Sequence, residues 1–358
     1  MRFTIKQAGC GSERVGCLTK FVKSVNTVIE TPTSALFTQS GSVVHLTADV
    51  LLTVFSNPQL LWMPLSNTIP LETGVKAQGE GIAKFAGLSG QISCATSYNI
   101  NDGSPQGHFE QDKVPLWTKN GKQMINADRY MDIMEVFKPD LILAIADGRT
   151  SVTETNKRMI KSVERTCKML ETCVARYKAS TNLLNMALAG ITDGTDDSYK
   201  AAEERLPSIF EKVGKTIPND LLRIVEGSWN PAVVLSAVEQ GWDIFDGSYP
   251  LKLTNAGHAL ALTFDVDRNR DELCILDMND IRYKEDFNPI TNGCECLACK
   301  KHTRAYIRHL LNTREMLASV ETHGETVHLM ESSHKGSTLT DGIMLWENIV
   351  MKPAHSAT

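Results

Sequence analysis

Three cysteines lie within six residues of one another, in the run CECLAC at positions 294–299. Thiols this close cannot all pair with one another, and a disulfide across so short a loop would be strained. They can instead converge on one tetrahedral Zn²⁺, which prefers sulfur and nitrogen ligands and needs a fourth. We predict that Cys294, Cys296 and Cys299 hold a structural zinc ion, with a redox-active thiol group as the alternative.

The other cysteines are scattered along the chain, which has nine in all. An odd number at this density argues against the disulfide framework of a small secreted protein. Each of the remaining six is best interpreted as a reduced, partly buried small hydrophobe. They are Cys10, Cys17, Cys94, Cys167, Cys173 and Cys274.

The segment directly after the cysteine run is basic and carries apolar residues at helical spacing. Its basic residues are Lys300, Lys301, Arg304, Arg308 and Arg314, and its apolar residues are Tyr306, Ile307, Leu310 and Leu311. This pattern predicts an amphipathic helix. Its charged face is either simply solvated or a contact surface for a partner.

Aspartates follow three short apolar runs that we predict to be buried strands. They are Asp147 after LILAIA, Asp193 after ALAGIT and Asp246 after DIF. The strands alternate with amphipathic segments such as residues 155–177, an order typical of a parallel α/β sheet or barrel. In a barrel the carboxyl ends of the strands share the face where active sites form. Each aspartate could also serve only as a helix N-cap or a solvated loop residue.

Length and composition indicate a globular protein that can bury a sizeable core, with 358 residues, of which 42% are hydrophobic and 22% charged. The formal net charge is −5, so contact with a polyanion would depend on a local basic patch. The N-terminus lacks the apolar run of a secretory signal, and no apolar stretch is long enough to span a bilayer. We therefore expect a soluble, reduced, intracellular protein.

Four stretches of the sequence resemble the tRNA-guanine transglycosylases, the base-exchange enzymes that insert queuine at the anticodon wobble position. The stretches are GWDIFD at 241–246, YKEDFNP at 283–289, GCECLAC at 293–299 and HTRAYI at 302–307. The likeness is specific between about residues 241 and 317 and weaker over most of the preceding chain. Within that family it is closest to the accessory subunits of the eukaryotic enzyme.

This resemblance implies a fold, a (β/α)₈ TIM-type barrel with an inserted zinc-binding subdomain. We accordingly expect the barrel, with a β-rich N-terminal part, over residues 1–280. The zinc-binding subdomain and an interface helix are expected over residues 281–331, and a divergent tail over residues 332–358.

In the family the fourth zinc ligand is a histidine on the helix that follows the cysteines. The position with that spacing is Glu325 here, and His323 and His328 lie on either side of it. Neutral imidazole suits a closed zinc site better than a carboxylate does. The resemblance therefore implies one Zn²⁺ per subunit, held by the three cysteines and His323, with His328 or Glu325 as alternatives.

The resemblance also implies roles for two of the aspartates. Asp246 matches the family's nucleophile, which holds the anomeric carbon of the ribose while guanine leaves, and Asp147 matches a residue that recognises the base. The group that should transfer protons is missing, because the DSGGF motif of catalytic members is replaced by NINDGS at 99–104. The base-binding QGG is reduced to TDG at 192–194, and the next glycine-rich strand is shortened between residues 205 and 219.

These departures predict a non-catalytic accessory subunit in which Asp246 is vestigial. Its expected partners are the catalytic queuine tRNA-ribosyltransferase subunit, in a heterodimer, and the tRNAs with GUN anticodons (Asp, Asn, His, Tyr), whose guanine 34 is replaced by queuine; DNA is not expected. The resemblance further implies a cytoplasmic location, in part peripheral to the mitochondrial outer membrane.

Two alternatives remain open at this point. The first is an active transglycosylase that uses Asp246 as its nucleophile and has rebuilt its proton-transfer group around Asp102 or Asp193. The second is a zinc-containing RNA-binding scaffold with no part in base exchange.

Overall fold

Apolar runs alternate with amphipathic segments along the chain, and they form strands and covering helices in a computed structural model of the protein. The structure describes residues 1–9, 11–21, 26–55, 57–99, 112–147, 155–180, 186–187, 189–192, 206–261, 274–294 and 296–324. The strands are β1 (Arg2–Ala8), β2 (Arg14–Thr19), β3 (Ile29–Thr31), β4 (Thr33–Gln39), β5 (Ser42–Val43), β6 (Leu60–Pro64), β7 (Ile92–Thr96), β8 (Val114–Thr118), β9 (Gly121–Ile125), β10 (Leu141–Leu143), β11 (Met186–Ala187), β12 (Ala189–Thr192), β13 (Ile224–Glu226), β14 (Ile244–Gly247), β15 (His258–Ala261) and β16 (Cys274–Asp277). The helices are α1 (Ala48–Val54), α2 (Leu65–Thr68), α3 (Glu72–Gln78), α4 (Ile82–Phe85), α5 (Ala127–Phe137), α6 (Asn156–Ala179), α7 (Leu206–Thr216), α8 (Pro231–Glu239), α9 (Tyr249–Asn255), α10 (Leu297–Lys301), α11 (Arg304–Asn312) and α12 (316–324).

Parallel strands form one curled sheet at the centre of the protein. Its order is β11-β10-β7-β6-β4-β14-β13-β12, and every neighbouring pair on this path runs parallel. All residues of β6, β7, β10, β13 and β14 are buried. Burial on both faces explains why these segments are continuous apolar runs rather than alternating ones.

The two ends of this sheet come from consecutive parts of the chain. β11 ends at Ala187 and β12 begins at Ala189, so residue 188 alone separates them. We count β11 and β12 as one strand position because they follow each other along the chain, so the eight segments of the sheet occupy seven positions. β12 pairs directly with β13, with Ala189 opposite Ile224. Within the described residues this is one position fewer than the eight expected. Between residues 205 and 219, where we expected the glycine-rich strand to be shortened, the chain forms α7 over residues 206–216.

A buried ion pair ties the N-terminal sheet β1-β2-β3 to the parallel sheet. Arg14, at the start of β2, donates its Nε–H to Asp243 Oδ1 at 2.9 Å, and the two side chains are 4% and 0% exposed. The other carboxylate oxygen accepts the backbone N–H of Arg223 at 2.7 Å. Asp243 precedes β14 and Arg223 precedes β13, so one carboxylate fixes three strands.

The amphipathic helix predicted over residues 155–177 is confirmed as α6. Thr155 caps it by accepting the N–H of Arg158, as residues of this type commonly do. Its apolar side, with Met169 and Cys173, packs in the same core as Met131 of α5.

The described chain ends in α12, at residue 324, so the tail expected over residues 332–358 lies outside it. None of the helices in the described ranges combines the length and the apolar character that crossing a membrane requires.

Candidate metal centre and strand-end acids

The three clustered cysteines converge in space as their spacing predicted. The sulfur atoms of Cys294, Cys296 and Cys299 all lie within 4.8 Å of one another. Gly293 precedes them in the left-handed region, with φ +79°, which a side chain would strain. The chain can therefore turn tightly enough to bring Cys294 back beside the other two sulfurs.

Backbone N–H groups point at each of the three sulfurs. Cys294 Sγ accepts from Cys296 N at 3.5 Å, Cys296 Sγ from Cys299 N at 3.3 Å, and Cys299 Sγ from Thr291 N at 3.4 Å. Hydrogen bonds of this kind favour the charged thiolate over the thiol. Because the thiolate is the form that binds metal, the geometry suits a thiophilic divalent ion.

Arg304 holds the loop that leads into the cysteines. Its guanidinium contacts Asp286 at 3.2 Å and the carbonyl of Ile290 at 2.8 Å, and its backbone N–H bonds to the Asn288 carbonyl at 2.9 Å. Arg308 likewise donates to the Asp280 carbonyl at 2.9 Å. Two members of the basic face predicted for this segment are therefore structural.

The hairpin β15–β16 shares one apolar core with the cysteine loop and α11. The buried members of this core are Ala259, Leu276, Met278, Tyr283, Ile290, Cys296, Ala298 and Ile307. This packing joins the hairpin to the cysteine loop.

His323, the expected fourth ligand, does not belong to the sulfur group in the structure. It is buried on α12, and its ring lies 5.7 Å from that of His45 in an edge-on arrangement. No other cysteine, histidine or carboxylate of the described chain completes the cysteine group. The alternatives Glu325 and His328 lie outside the described residues.

Burial, and to a smaller extent the neighbouring His45, lower the pKa of His323 from 6.5 to about 3, although a backbone hydrogen bond at Pro250 acts in the opposite direction. The unfolded chain therefore binds a proton below pH 6.5 that the folded protein cannot accept. Stability contributed by neutral His323 is present above pH 6.5 and is lost as the pH falls towards 3, a loss of about 3–5 kcal/mol.

Replacing His323 by phenylalanine should flatten the pH dependence of the free energy of unfolding between pH 6.5 and 3. Denaturant titrations at several pH values would measure the free energy of unfolding. His309→Phe, on the exposed side of α11, is the control. If the free energy of unfolding of the His323 variant fell with pH as steeply as that of the wild type, buried neutral His323 would not be the source of this pH dependence.

The side chain of Asp246 is buried within the parallel sheet. It lies on β14, is 2% exposed, and its Oδ1 accepts the backbone N–H of Ser248 at 2.9 Å. The adjacent strand β13 ends in Glu226, which is also buried and accepts a hydrogen bond from the Thr96 hydroxyl. Burial, and then the charge of Glu226, raise the pKa of Asp246 well above its usual value. Both effects disfavour the carboxylate form of Asp246, which is the form that acts as a nucleophile.

Asp147 is anchored to α6 by its side chain and its backbone. Its carboxylate forms an ion pair with Arg165, its backbone N–H bonds to the Thr166 hydroxyl at 3.0 Å, and its carbonyl accepts from the Ser162 hydroxyl at 2.9 Å. Its strand, β10, ends earlier than predicted, at Leu143. Asp193 and Asp102 lie outside the described residues.

Sequence reasoning did not single out Glu226 or Arg165. A signal for Glu226 was present, because it ends the run Ile224-Val225 as Asp246 ends its own strand. Arg165 lies in the segment 155–177 that was predicted to be an amphipathic helix, and nothing in its spacing indicated Asp147 as its partner.

A column of three rings runs from His302, at the end of α10, onto the exposed side of α11. His302 stacks on Tyr306 with centroids 5.0 Å apart, and His309 follows at 6.5 Å from Tyr306. Tyr306 is 41% exposed, and Lys300 and Lys301 are exposed nearby along the chain. Exposed aromatic side chains on a fixed helix are a common feature of protein–protein contacts.

Comparison with known sequences gives a consistent assignment. The family described as queuine tRNA-ribosyltransferase matches residues 10–202 and 197–331. Relatives named queuine tRNA-ribosyltransferase accessory subunit 2 include one from Anopheles gambiae, 33% identical over 89% of this chain and 82% of the relative. Those of Drosophila melanogaster (31% identical, 89% and 84%) and Danio rerio (28% identical, 87% and 88%) are similar. The chain belongs to the queuine tRNA-ribosyltransferase family.

Proposed function

We propose that this chain is the non-catalytic accessory subunit of a queuine tRNA-ribosyltransferase, and that it supports the exchange of guanine for queuine at position 34 of tRNAs with GUN anticodons. The observation that carries the proposal is the state of Asp246, which is buried, favoured in its neutral form and next to a second acid. A subunit whose candidate nucleophile is buried in this way depends on a catalytic partner to carry out the base exchange.

We propose that the three thiolates hold one Zn²⁺, which would act structurally by fixing the loop between β16 and α11. Three sulfurs with inward N–H groups fit a tetrahedral site whose fourth ligand is water, Glu325 or His328. Measuring the metal content of His323→Ala tests whether His323 is instead the fourth ligand. If this variant retains a full equivalent of metal, His323 is excluded as a ligand.

We further propose that the curled sheet closes into a barrel through residues 186–192. The two ends of the sheet lie on this run, which supports closure. A barrel unit before residue 258 and a zinc-binding unit from residue 258 to 312 are the domain division that this packing supports, with α12 packed against the barrel.

We assign the ring column of α11 to the contact with the catalytic subunit. Lys300 and Lys301 at its edge would approach the tRNA backbone, where phosphate contacts position a substrate without reading its sequence. The zinc-binding unit would then serve as a rigid platform for the interface.

Replacing Tyr306 by alanine should weaken the heterodimer about tenfold or more, because an exposed aromatic anchor on a fixed helix is a typical interface hot spot. Titration calorimetry with the catalytic subunit would measure the dissociation constant. Leu52→Ala, which truncates a 67% exposed residue on α1, is the control. Equal affinity for both variants would rule out this surface.

Co-expression tests the assignment and separates it from the two alternatives. A tagged chain should retain the catalytic subunit in equimolar amount through size-exclusion chromatography. An active transglycosylase predicts a self-sufficient homodimer instead, and an RNA-binding scaffold predicts RNA association without that partner.

A further inference from the structure

A buried carboxyl group on α12 contacts the residue that ends α10. Glu321 is 2% exposed, and its Oε1 lies 3.4 Å from Nε2 of His302. Its other oxygen, Oε2, is buried without a hydrogen-bond partner among the residues that the structure describes. A buried carboxyl group is costly without a donor or a cation beside it, so the contact with His302 favours one arrangement of the two side chains.

Two residues that can carry positive charge lie beside this acid. Burial raises the pKa of Glu321, and the charges of His302 and then Lys301 act in the opposite direction. These two residues are consecutive, and both come just before α11. The chain that leads into α11 therefore stabilises the ionised form of Glu321.

The helix that contains Glu321 is fixed by the barrel side of the protein. Val320 packs against the core that includes Leu46, and the ring of His323 lies 5.7 Å from that of His45. Glu321 stands between Val320 and His323 in the sequence, so its own position is set by this packing. Its carboxyl group thus joins α12 to the zinc-binding unit.

His302 is also the first ring of the column that continues along α11. Its ring stacks on that of Tyr306 with centroids 5.0 Å apart and an interplanar angle of 24°, and His309 follows Tyr306. An imidazole that contacts a buried acid through Nε2 has less freedom to rotate about its side-chain bonds. Tyr306, which stacks on it, is restricted in turn, so the column is ordered before a partner binds.

We propose that Glu321 is a positioning residue that fixes the ring column of α11 through His302, and that this order strengthens docking of the catalytic subunit. A surface that is already ordered binds more tightly, because fewer side chains must be immobilised on binding. The docking part of the inference rests on the proposed function, in which the ring column contacts the catalytic subunit. The positioning part concerns the free chain and is measured on it alone.

Nuclear Overhauser contacts between the rings of His302 and Tyr306 test the positioning part, recorded on the full chain with labelled histidine and tyrosine. Glu321→Met keeps the bulk of the side chain and removes both oxygens, so these contacts should be present in the wild type and lost in this variant. Glu321→Gln keeps an oxygen that can accept from Nε2 and should retain them. Glu321→Ala should also lose them and serves if the methionine variant folds poorly.

Titration calorimetry with the catalytic subunit tests the docking part. The dissociation constant of Glu321→Met should rise about fivefold or more, since the side chains of His302 and Tyr306 must then be ordered on binding. Glu321→Gln should recover most of this loss. In a Tyr306→Ala background Glu321→Met should have little further effect, because the ring through which it acts is gone. A merely structural role of Glu321 would weaken docking equally in both backgrounds.

Glu80→Met makes the same substitution in an exposed ion pair with Lys84 and is the matched control. It should change neither the Overhauser contacts nor the dissociation constant. The proposal is overturned if the contacts between His302 and Tyr306 persist in Glu321→Met and Glu321→Ala. It is also overturned if Tyr306→Ala weakens docking and Glu321→Met either does not or does so equally in both backgrounds.

One further result separates this inference from the proposed function. If Tyr306→Ala leaves docking unchanged while Glu321→Met loses the Overhauser contacts, the ring column is not the interface with the catalytic subunit. The positioning of the column by Glu321 is then supported, and the assignment of the contact surface is the part that fails.

Discussion

Replacing Cys296 by serine should abolish stoichiometric metal binding and unfold the zinc-binding unit while the parallel sheet remains folded. Cys296 is one of the three proposed sulfur ligands, the N-cap of α10 and a member of the small core around the cysteine loop. Binding of a structural zinc ion is worth on the order of 10 kcal/mol in small metal-dependent units, and that free energy is folding free energy. A core this small cannot compensate for its loss.

Metal content by mass spectrometry and hydrogen exchange by peptide would measure the two effects together. Peptides from residues 274–312 should lose protection in the variant, and those from β6, β7 and β10 should keep it. Cys167→Ser, on the exposed side of α6, is the control and should retain a full equivalent of metal. Retention of that equivalent by Cys296→Ser would contradict the proposed centre.

Replacing Asp243 by alanine should cost about 3–5 kcal/mol of the free energy of unfolding. The substitution leaves the Arg14 guanidinium buried without its counter-charge and the Arg223 N–H without its acceptor. Asp243→Asn should recover only part of the loss, because the amide keeps one acceptor but not the charge.

Denaturant unfolding of the three proteins would give these values. Glu211→Gln is the matched control, since it breaks an exposed pair with Lys215 one helical turn away and should leave the unfolding midpoint unchanged. If Asp243→Ala unfolded at the same denaturant concentration as the wild type, the buried ion pair would not be the tie between the two sheets.

Features encoded by local spacing were predictable from the sequence. The cysteine cluster formed as expected because its members are within six residues, and α6 formed because its apolar period and its Thr155 cap are local. The parallel order of the strands followed from their alternation with helices. The pairing of β12 with β13 was harder to predict, because it depends on contacts between distant parts of the chain.

Features that depend on long-range pairing escaped prediction. His323 was expected at the metal because of its distance along the chain, but the fold places it against His45. Asp147 was matched to base recognition, yet Arg165 binds its carboxylate. Glu226 gains its significance only from its register with Asp246.

The most direct test of the proposed role is the release of labelled guanine from tRNA with a GUN anticodon in the presence of queuine. Three samples are compared, namely this chain alone, the catalytic subunit alone and the two together. We predict no release above the protein-free background for this chain alone, and rapid release for the mixture at a rate that exceeds that of the catalytic subunit alone. Sustained turnover by this chain alone would contradict the account.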